Sequence, residues 1–217
     1  ELKCGEFKPD IEKPYAQRTS VYLLCREATT FAPVLSRMVY DLMLPPEGGH
    51  VLDPFSGWGD RAIGALGSSR VLSYQGVDCN SALIPGYQRI SAELDDAKKL
   101  EFAFMPFQSF APKRRHYDLI FTSPPYFDFE VYSDEKTQSS FNKKTYREWF
   151  DSFMKFALQK MGILIKPGRY VALHIGSTFR TPTFTDDVKA RMIELGMIFV
   201  QTIDCSTESK RPIPIWV

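Results

Sequence analysis

The residues best suited to chemistry stand in one stretch, residues 51–61, with the sequence VLDPFSGWGDR. An apolar run closes on Asp53, and Gly57 and Gly59 follow in what we expect to be a turn before a helix. Glycine lets the backbone approach a ligand with no Cβ in the way, and the first N–H groups of the helix point at the same place. A carboxylate beside free amides suits a ligand with an ammonium and a carboxylate. A pyrophosphate fits less well, because Asp53 would repel it.

A second stretch of this kind lies at residues 117–126, YDLIFTSPPY, where another apolar run ends in Ser-Pro-Pro-Tyr. Together the two stretches resemble the signature motifs of the S-adenosylmethionine-dependent amino-methyltransferases, which methylate exocyclic nitrogens of nucleic-acid bases. Asp-Pro-Phe-x-Gly-x-Gly resembles their cofactor motif, and Ser-Pro-Pro-Tyr resembles their catalytic motif. The resemblance implies S-adenosyl-L-methionine as the cofactor and covers roughly residues 29–217.

The catalytic motif implies a specific treatment of the target amine. An exocyclic amine is a poor nucleophile because its lone pair is delocalised into the ring, and acceptors around its hydrogens free that lone pair for attack. We expect the Ser123 Oγ and the Pro124 carbonyl to be these acceptors, held rigidly by Pro124 and Pro125. Tyr126 would give a flat face on which a flipped base stacks. Without chemistry, the same four residues would be a turn that ends a strand.

The cofactor residues that the resemblance implies extend beyond the glycine turn. Asp78 closes the next apolar run about 20 positions after the glycines, where Rossmann-like folds bind ribose hydroxyls; alternatively it caps the following helix. The TTFAP run at residues 29–33 is similar to the N-terminal motif of the family, although Ala32 replaces a common lysine, and it could also be a plain helix cap. The predicted cofactor residues are Thr30, Asp53, Pro54, Phe55, Gly57, Gly59, Asp78 and, for the adenine, Gln108.

Composition limits the class of protein. The 217 residues fit one domain, with 44% hydrophobic and 24% charged residues. No apolar run is long enough to span a bilayer, and four scattered cysteines form no Cys-x-x-Cys pair, so we expect an intracellular protein, cytoplasmic or nuclear, with no membrane partner. Three histidines offer no obvious ligand set, so we expect no metal. Because the chain begins at Glu1 and stops within an apolar run, we expect a piece of a longer protein.

The expected partner is nucleic acid, with DNA favoured over RNA. A net charge of +1 requires any binding surface to be local, and the candidates are residues 113–116, 143–147 and 210–211, each of which could equally be a solvated turn. Serine at the first catalytic position favours cytosine N4, since family members with Asp or Asn there more often modify adenine N6. The alternatives are an RNA guanine-N2 enzyme, a catalytically silent binding subunit and, less favoured, an enzyme for small amines. Unlike many DNA members, this sequence shows no inserted target-recognition domain.

The elements that must position these motifs alternate between strand and helix. This pattern predicts a Rossmann-like class I methyltransferase fold of the α/β type, mostly parallel with a C-terminal antiparallel hairpin. We divide the chain into an N-terminal arm, 1–28, and a catalytic domain, 29–217. We expect a helix after Pro33 with an apolar face, a functional loop over 127–144, a capping box at Thr145 and an edge strand over 213–217. The expected face of the first helix is Val34, Leu35, Met38, Val39, Leu42 and Met43.

Overall fold

The protein folds around one seven-stranded sheet. The computed structural model describes residues 31–93, 99–112, 116–127, 135–178, 181–204 and 213–217. The strands are β1 Gly49–Asp53, β2 Val71–Asp78, β3 Lys99–Phe104, β4 Tyr117–Thr122, β5 Ile165–Leu173, β6 Phe199–Ile203 and β7 Ile213–Trp216. Their order is β3-β2-β1-β4-β5-β7-β6, with β1 to β5 parallel and β7 antiparallel to both neighbours. This confirms the predicted mostly parallel α/β fold with a C-terminal antiparallel hairpin.

Helices cover both faces of the sheet. They are α1 Pro33–Met43, α2 Asp60–Gly67, α3 Ile84–Glu93, α4 Tyr146–Trp149, α5 Lys155–Leu164 and α6 Phe184–Glu194, with a π-helical turn, Phe150–Met154, joining α4 to α5. The predicted capping box is present, because the Thr145 and Glu148 side chains each accept a bond from the other residue's backbone N–H. The described part of the chain contains no helix long and apolar enough to cross a membrane.

Side-chain alternation along the strands divides the core in two. In β4, Leu119 and Phe121 pack on one side with α1 and α2, whereas Ile120 packs on the other side with α4, α5 and α6. Successive strand residues point to opposite faces, and β4 is buried along its whole length. A parallel sheet covered on both faces explains why β1 and β4 read as continuous apolar runs.

The face that α1 buries differs from the predicted one. Val34, Met38 and Leu42 are each more than half exposed, and the buried residues are Ser36, Val39 and Tyr40. The cause lies in α2, where a Cβ added to Gly64 would stand 2.0 Å from the Ser36 Oγ. The two helices approach so closely at this point that the small Ser36 must face inward.

The last strand also corrects a prediction. Residues 213–217 were expected at the edge of the sheet, but β7 lies between β5 and β6, and β6 forms the edge. The residues explain this order, because all four side chains of β7 are buried while β6 is largely exposed. The sequence Lys166-Pro167-Gly168 lies within β5, at an irregularity in its pairing with β4.

Candidate active site

The two motifs meet at the carboxyl ends of β1 and β4, which are adjacent and parallel. The Thr122 Oγ1, at the end of β4, donates to the Asp53 Oδ1 at 2.7 Å and accepts from the Phe55 N–H at 3.2 Å. The strand order reverses direction at this point, which is where doubly wound sheets open a ligand crevice. The glycine loop and the Ser-Pro-Pro-Tyr turn therefore lie side by side at this edge of the sheet, and we call the space between them the crevice.

The Asp53 carboxylate is fully buried and bonded to protein groups. Arg61 donates to it from Nε at 2.7 Å and from Nη2 at 3.3 Å, and the Tyr74 hydroxyl donates at 2.6 Å. Its exposure is 0%, and that of Arg61 is 5%. The expectation of a carboxylate open to the crevice is therefore wrong in this structure. Burial by itself would lower the pKa of Arg61, but the adjacent Asp53 outweighs it and the pKa lies above its usual value.

The glycine loop needs its glycines for two different reasons. Gly57 and Gly59 have φ values of 55° and 89°, in the left-handed region that other residues rarely adopt. A Cβ on Gly59 would stand 2.8 Å from the Ile90 side chain, whereas a Cβ on Gly57 would meet no atom within 4 Å. Gly59 thus allows α3 to pack, and Gly57 borders open space that a ligand could occupy. In the same loop Pro54 is buried, and Phe55 is half-buried against Phe107 and Phe153.

Asp78 lies beside this loop at the end of β2. It accepts hydrogen bonds from the Gly57 N–H at 2.8 Å and from the Asn80 N–H at 2.9 Å, and it is partly exposed. Burial raises the pKa of Asp78, and the two backbone bonds oppose that shift. Unlike Asp53, Asp78 is partly exposed, and it lies at the position predicted for ribose recognition.

Tyr87 fixes the loop from the α3 side and was not predicted from the sequence. Its hydroxyl lies 2.8 Å from the Ser56 Oγ and also donates to the Gly57 carbonyl. The ring stacks on Phe102 with centroids 4.2 Å apart. A tyrosine in the first turns of a helix after a strand gives no distinct sequence signal, so only the fold reveals this contact.

The catalytic turn presents Ser123 and buries Tyr126. The Ser123 Oγ donates its hydrogen to the His174 carbonyl at 3.1 Å, and the His174 Nδ1 lies 3.5 Å from the same oxygen, so the oxygen acts as an acceptor toward any further partner. Tyr126 is 1% exposed, its ring packs against Phe184, and its hydroxyl accepts from the Gly176 N–H at 2.9 Å. The predicted stacking face is therefore covered by protein, because the ring fills the core under α6. Pro124 is buried and Pro125 is half-buried.

The N-terminal motif reaches the same crevice through Phe31, while Thr30 lies outside the described residues. The Phe31 N–H donates to the Asp60 Oδ2 at 3.2 Å. The Phe31 ring meets His174 edge-on, with centroids 4.9 Å apart, and the Arg61 guanidinium lies 5.5 Å from its centroid. Phe31 thus links the start of α2 to the backbone segment that holds Ser123.

Gln108, the predicted adenine contact, is half-buried in the 3₁₀ turn Phe107–Ser109 after β3. Lys160 of α5 donates to the carbonyls of both Phe107 and Gln108 at 2.9 Å, and burial lowers its pKa. Phe107 is a core residue, so it offers no free ring for stacking. The turn is therefore held in place by its carbonyls, and the structure leaves the adenine role of Gln108 a prediction.

The loop expected to be functional, 127–144, contacts the segment that follows β2 through residues 135–137. Glu135 accepts bonds from the Ser81 N–H and hydroxyl, and the Thr137 hydroxyl donates to the Cys79 carbonyl at 3.4 Å. Cys79 and Ser81 directly follow β2, so residues 135–137 lie beside Asp78. Residues 128–134 of the same loop are outside the described part.

The basic candidates give no continuous positive surface in the part that the structure describes. Residues 113–115 and 210–211 lie outside it. Lys143 and Lys144 border a shallow depression together with Glu148 and Asp151, so both signs of charge are present there. Trp58, beside the glycines, is 61% exposed and is therefore not a core residue.

Comparisons with known proteins identify the fold. No protein-family model matches the chain, and no curated protein matches it at a significant level. Among solved structures, a methyltransferase from Pyrococcus furiosus is 16% identical, with a TM-score of 0.60 and 93% of each chain covered. The N-methyltransferase NodS from Bradyrhizobium japonicum is 12% identical, with a TM-score of 0.59 over 84% of this chain and 93% of that one.

A third structure, an S-adenosylmethionine-dependent methyltransferase from Clostridium acetobutylicum, is 10% identical, with a TM-score of 0.58 over 93% of this chain and 98% of that one. Similarity at such low identity concerns the fold. The chain has the Rossmann-like fold of methyltransferases, as the two motifs predicted.

Proposed function

We propose that this protein is an S-adenosylmethionine-dependent methyltransferase that transfers a methyl group to an exocyclic amine of a nucleic-acid base. The favoured target is cytosine N4 in DNA, or adenine N6. The observation that supports this proposal is the meeting of the glycine loop and the Ser-Pro-Pro-Tyr turn across one crevice, joined by the bond between Thr122 and Asp53. Either motif alone could be a simple turn, whereas a glycine loop that faces a set of acceptors is the arrangement that methyl transfer to an amine requires.

The residues at the crevice fit the cofactor. Asp78 is partly exposed at the end of β2, where it can accept from ribose hydroxyls, and Gly57 borders open space. S-adenosyl-L-methionine would supply a methyl group on a sulfonium, which is already a good leaving group. The contribution of the protein is then mainly to position the two reactants.

The hydrogen bonding of Ser123 supports its role as an acceptor that holds the target amine. Because its hydrogen is donated to the His174 carbonyl, the Ser123 oxygen is an acceptor toward further partners. The His174 Nδ1, 3.5 Å away, can engage one of its two lone pairs, which leaves the other for an amine N–H. With the Pro124 carbonyl as the second acceptor, the nitrogen would be held toward tetrahedral geometry with its lone pair free. A preorganised acceptor of this kind lowers the barrier without moving during the reaction.

The direct test is nucleoside mass spectrometry after incubation with labelled cofactor and mixed DNA and RNA oligonucleotides. N4-methylcytosine or N6-methyladenine from DNA would support the proposal, and N2-methylguanine from RNA would support the alternative target. Binding of S-adenosylhomocysteine without any methylated nucleoside would favour a silent subunit. Calorimetry that detects binding of neither the cofactor nor its demethylated product would overturn the proposal.

A variant separates chemistry from binding. Ser123→Ala should lower turnover by about 10²–10³-fold while leaving cofactor affinity unchanged, because the acceptor acts mainly in the transition state. Ser152→Ala is the matched control, since the Ser152 hydroxyl also donates to a backbone carbonyl, that of Glu148, on the exposed side of the π-helical turn. If Ser123→Ala methylates at the wild-type rate, the acceptor role is wrong.

A further inference from the structure

Three carboxylates surround the glycine loop, and their environments differ. Asp53 is buried and accepts from Arg61, Tyr74 and Thr122, so it has no capacity left for a ligand. Asp78 is bonded to the loop backbone at the β2 side. Asp60, the first residue of α2, is half-buried. Within the part of the chain that the structure describes, its carboxylate accepts one hydrogen bond, from the Phe31 N–H.

Asp60 is linked through Phe31 to the segment that holds the catalytic turn. Its partner Phe31 packs edge-on against His174, whose carbonyl accepts from Ser123. Asp78 at the end of β2 bonds the loop at Gly57, whereas Asp60 follows the loop and is linked through Phe31 to the segment beside β4. A ligand with a ribose at the Asp78 end would extend its other end toward Asp60.

We propose that Asp60 binds the α-ammonium of the cofactor's amino-acid end and that Asp53 acts only by fixing the loop. This inference rests on the proposed function and deepens it. The sequence alone pointed to Asp53, because a carboxylate at a strand end before two glycines suits an ammonium. In the structure, the Arg61 guanidinium bonds to Asp53 and to the Phe55 carbonyl and not to Asp60. The Asp60 carboxylate can therefore bind the ligand ammonium.

The charge balance agrees with this geometry. Burial raises the pKa of Asp60, and the bond from Phe31 and the charge of Arg61 only partly oppose that shift. The ionised carboxylate is therefore less well stabilised by the protein than it would be in water. A ligand ammonium at hydrogen-bond distance would provide the missing stabilisation.

The test compares two ligands that differ in one group, S-adenosylhomocysteine and its analogue without the α-amino group. For Asp60→Asn, calorimetry should show about tenfold weaker binding of S-adenosylhomocysteine and a change of less than about twofold for the deaminated analogue. The asparagine keeps an oxygen for the Phe31 N–H, so the loop should stay intact. Asp60→Ser, which also keeps an oxygen near the helix start, should give the same contrast.

Asp186→Asn is the matched control, since Asp186 also lies in the first turn of a helix, α6, and is exposed. It should change neither affinity. If Asp60→Asn weakens the binding of both ligands equally, Asp60 only shapes the loop. If it changes neither affinity, Asp60 makes no contact with the ligand. Either result overturns this inference and leaves the proposed function standing. If the wild type binds neither ligand, the proposed function and the inference both fail.

Discussion

Replacing Arg61 with methionine should destabilise the protein strongly, because it leaves the Asp53 carboxylate buried without its cation. The carboxylate is 0% exposed and would retain only neutral donors, including the hydroxyls of Tyr74 and Thr122. Removing one partner of a buried ion pair costs about 3–5 kcal/mol. Methionine fills much of the same volume, so the change should reflect lost charge pairing rather than a cavity.

The loss should be measured by urea unfolding followed by circular dichroism at neutral pH, with an unchanged slope and a lower midpoint. For a chain of this size, each kcal/mol lowers Tm by about 2–4 °C, so the expected decrease is about 6–20 °C. Arg89→Met is the control, since Arg89 pairs with Glu93 on the surface, where the two side chains are 77% and 63% exposed. That variant should lose less than about 1 kcal/mol.

A double variant tests the cause. In Asp53→Asn with Arg61→Met both charges of this buried pair are removed, so the double variant should be more stable than Arg61→Met alone by more than about 1 kcal/mol. If Arg61→Met loses no more stability than Arg89→Met, the pair does not hold the loop. If the double variant is less stable than Arg61→Met alone, the uncompensated charge is not the cause.

Three further predictions concern groups around the crevice and the sheet. Burial raises the pKa of Cys79 to about 11, so its alkylation at about pH 8, followed by peptide mass spectrometry, should be on the order of 100-fold slower than in unfolded protein; equal rates would contradict this. Burial opposes the ionisation of Asp118, but the bonds from Lys166 and the His50 N–H, with the charges of Lys166 and Arg169, together outweigh it and lower the pKa. Asp118→Asn should therefore lose about 1–2 kcal/mol at neutral pH, and urea titrations should show the difference narrowing below about pH 4, as wild-type Asp118 protonates; a pH-independent difference would be inconsistent with it. Tyr126→Phe should lose about 1 kcal/mol because the Gly176 N–H loses its acceptor, and an unchanged free energy of unfolding in urea would contradict this.

The sequence predicted the parts of this fold that depend on local pattern. The glycine loop follows β1 and the proline turn follows β4 because each apolar run is a strand buried on both faces. The Thr145 capping box needs only residues three positions apart, and it forms as expected. The meeting of the two motifs could also be predicted, since it follows from parallel strands and the switch-point rule.

What the sequence could not show depends on contacts between distant residues. Ser36 is buried because Gly64 of α2 lies opposite it, and the spacing of apolar residues in α1 cannot reveal which residue packs against it. The insertion of β7 between β5 and β6 follows from its four buried side chains, which a short apolar run at the chain end does not distinguish from an edge strand. The ion pair of Arg61 could not be predicted either, since an arginine in the first turn of a helix usually lies at the surface.

The glycine loop and the end of β4 are joined by a network of buried hydrogen bonds, so the effect of an Asp53 variant on activity need not come from contact with a ligand. Phe55 donates its N–H to the Thr122 hydroxyl, and its carbonyl accepts from Arg61, which is itself paired with Asp53. The loop is thus bonded on one side to the end of β4, next to Ser123, and on the other to α2. Catalytic groups must be held to within about 0.5 Å, which a network of buried bonds provides. A variant of Asp53 would therefore move Ser123 relative to the loop, and its loss of activity would report this displacement rather than a lost ligand contact.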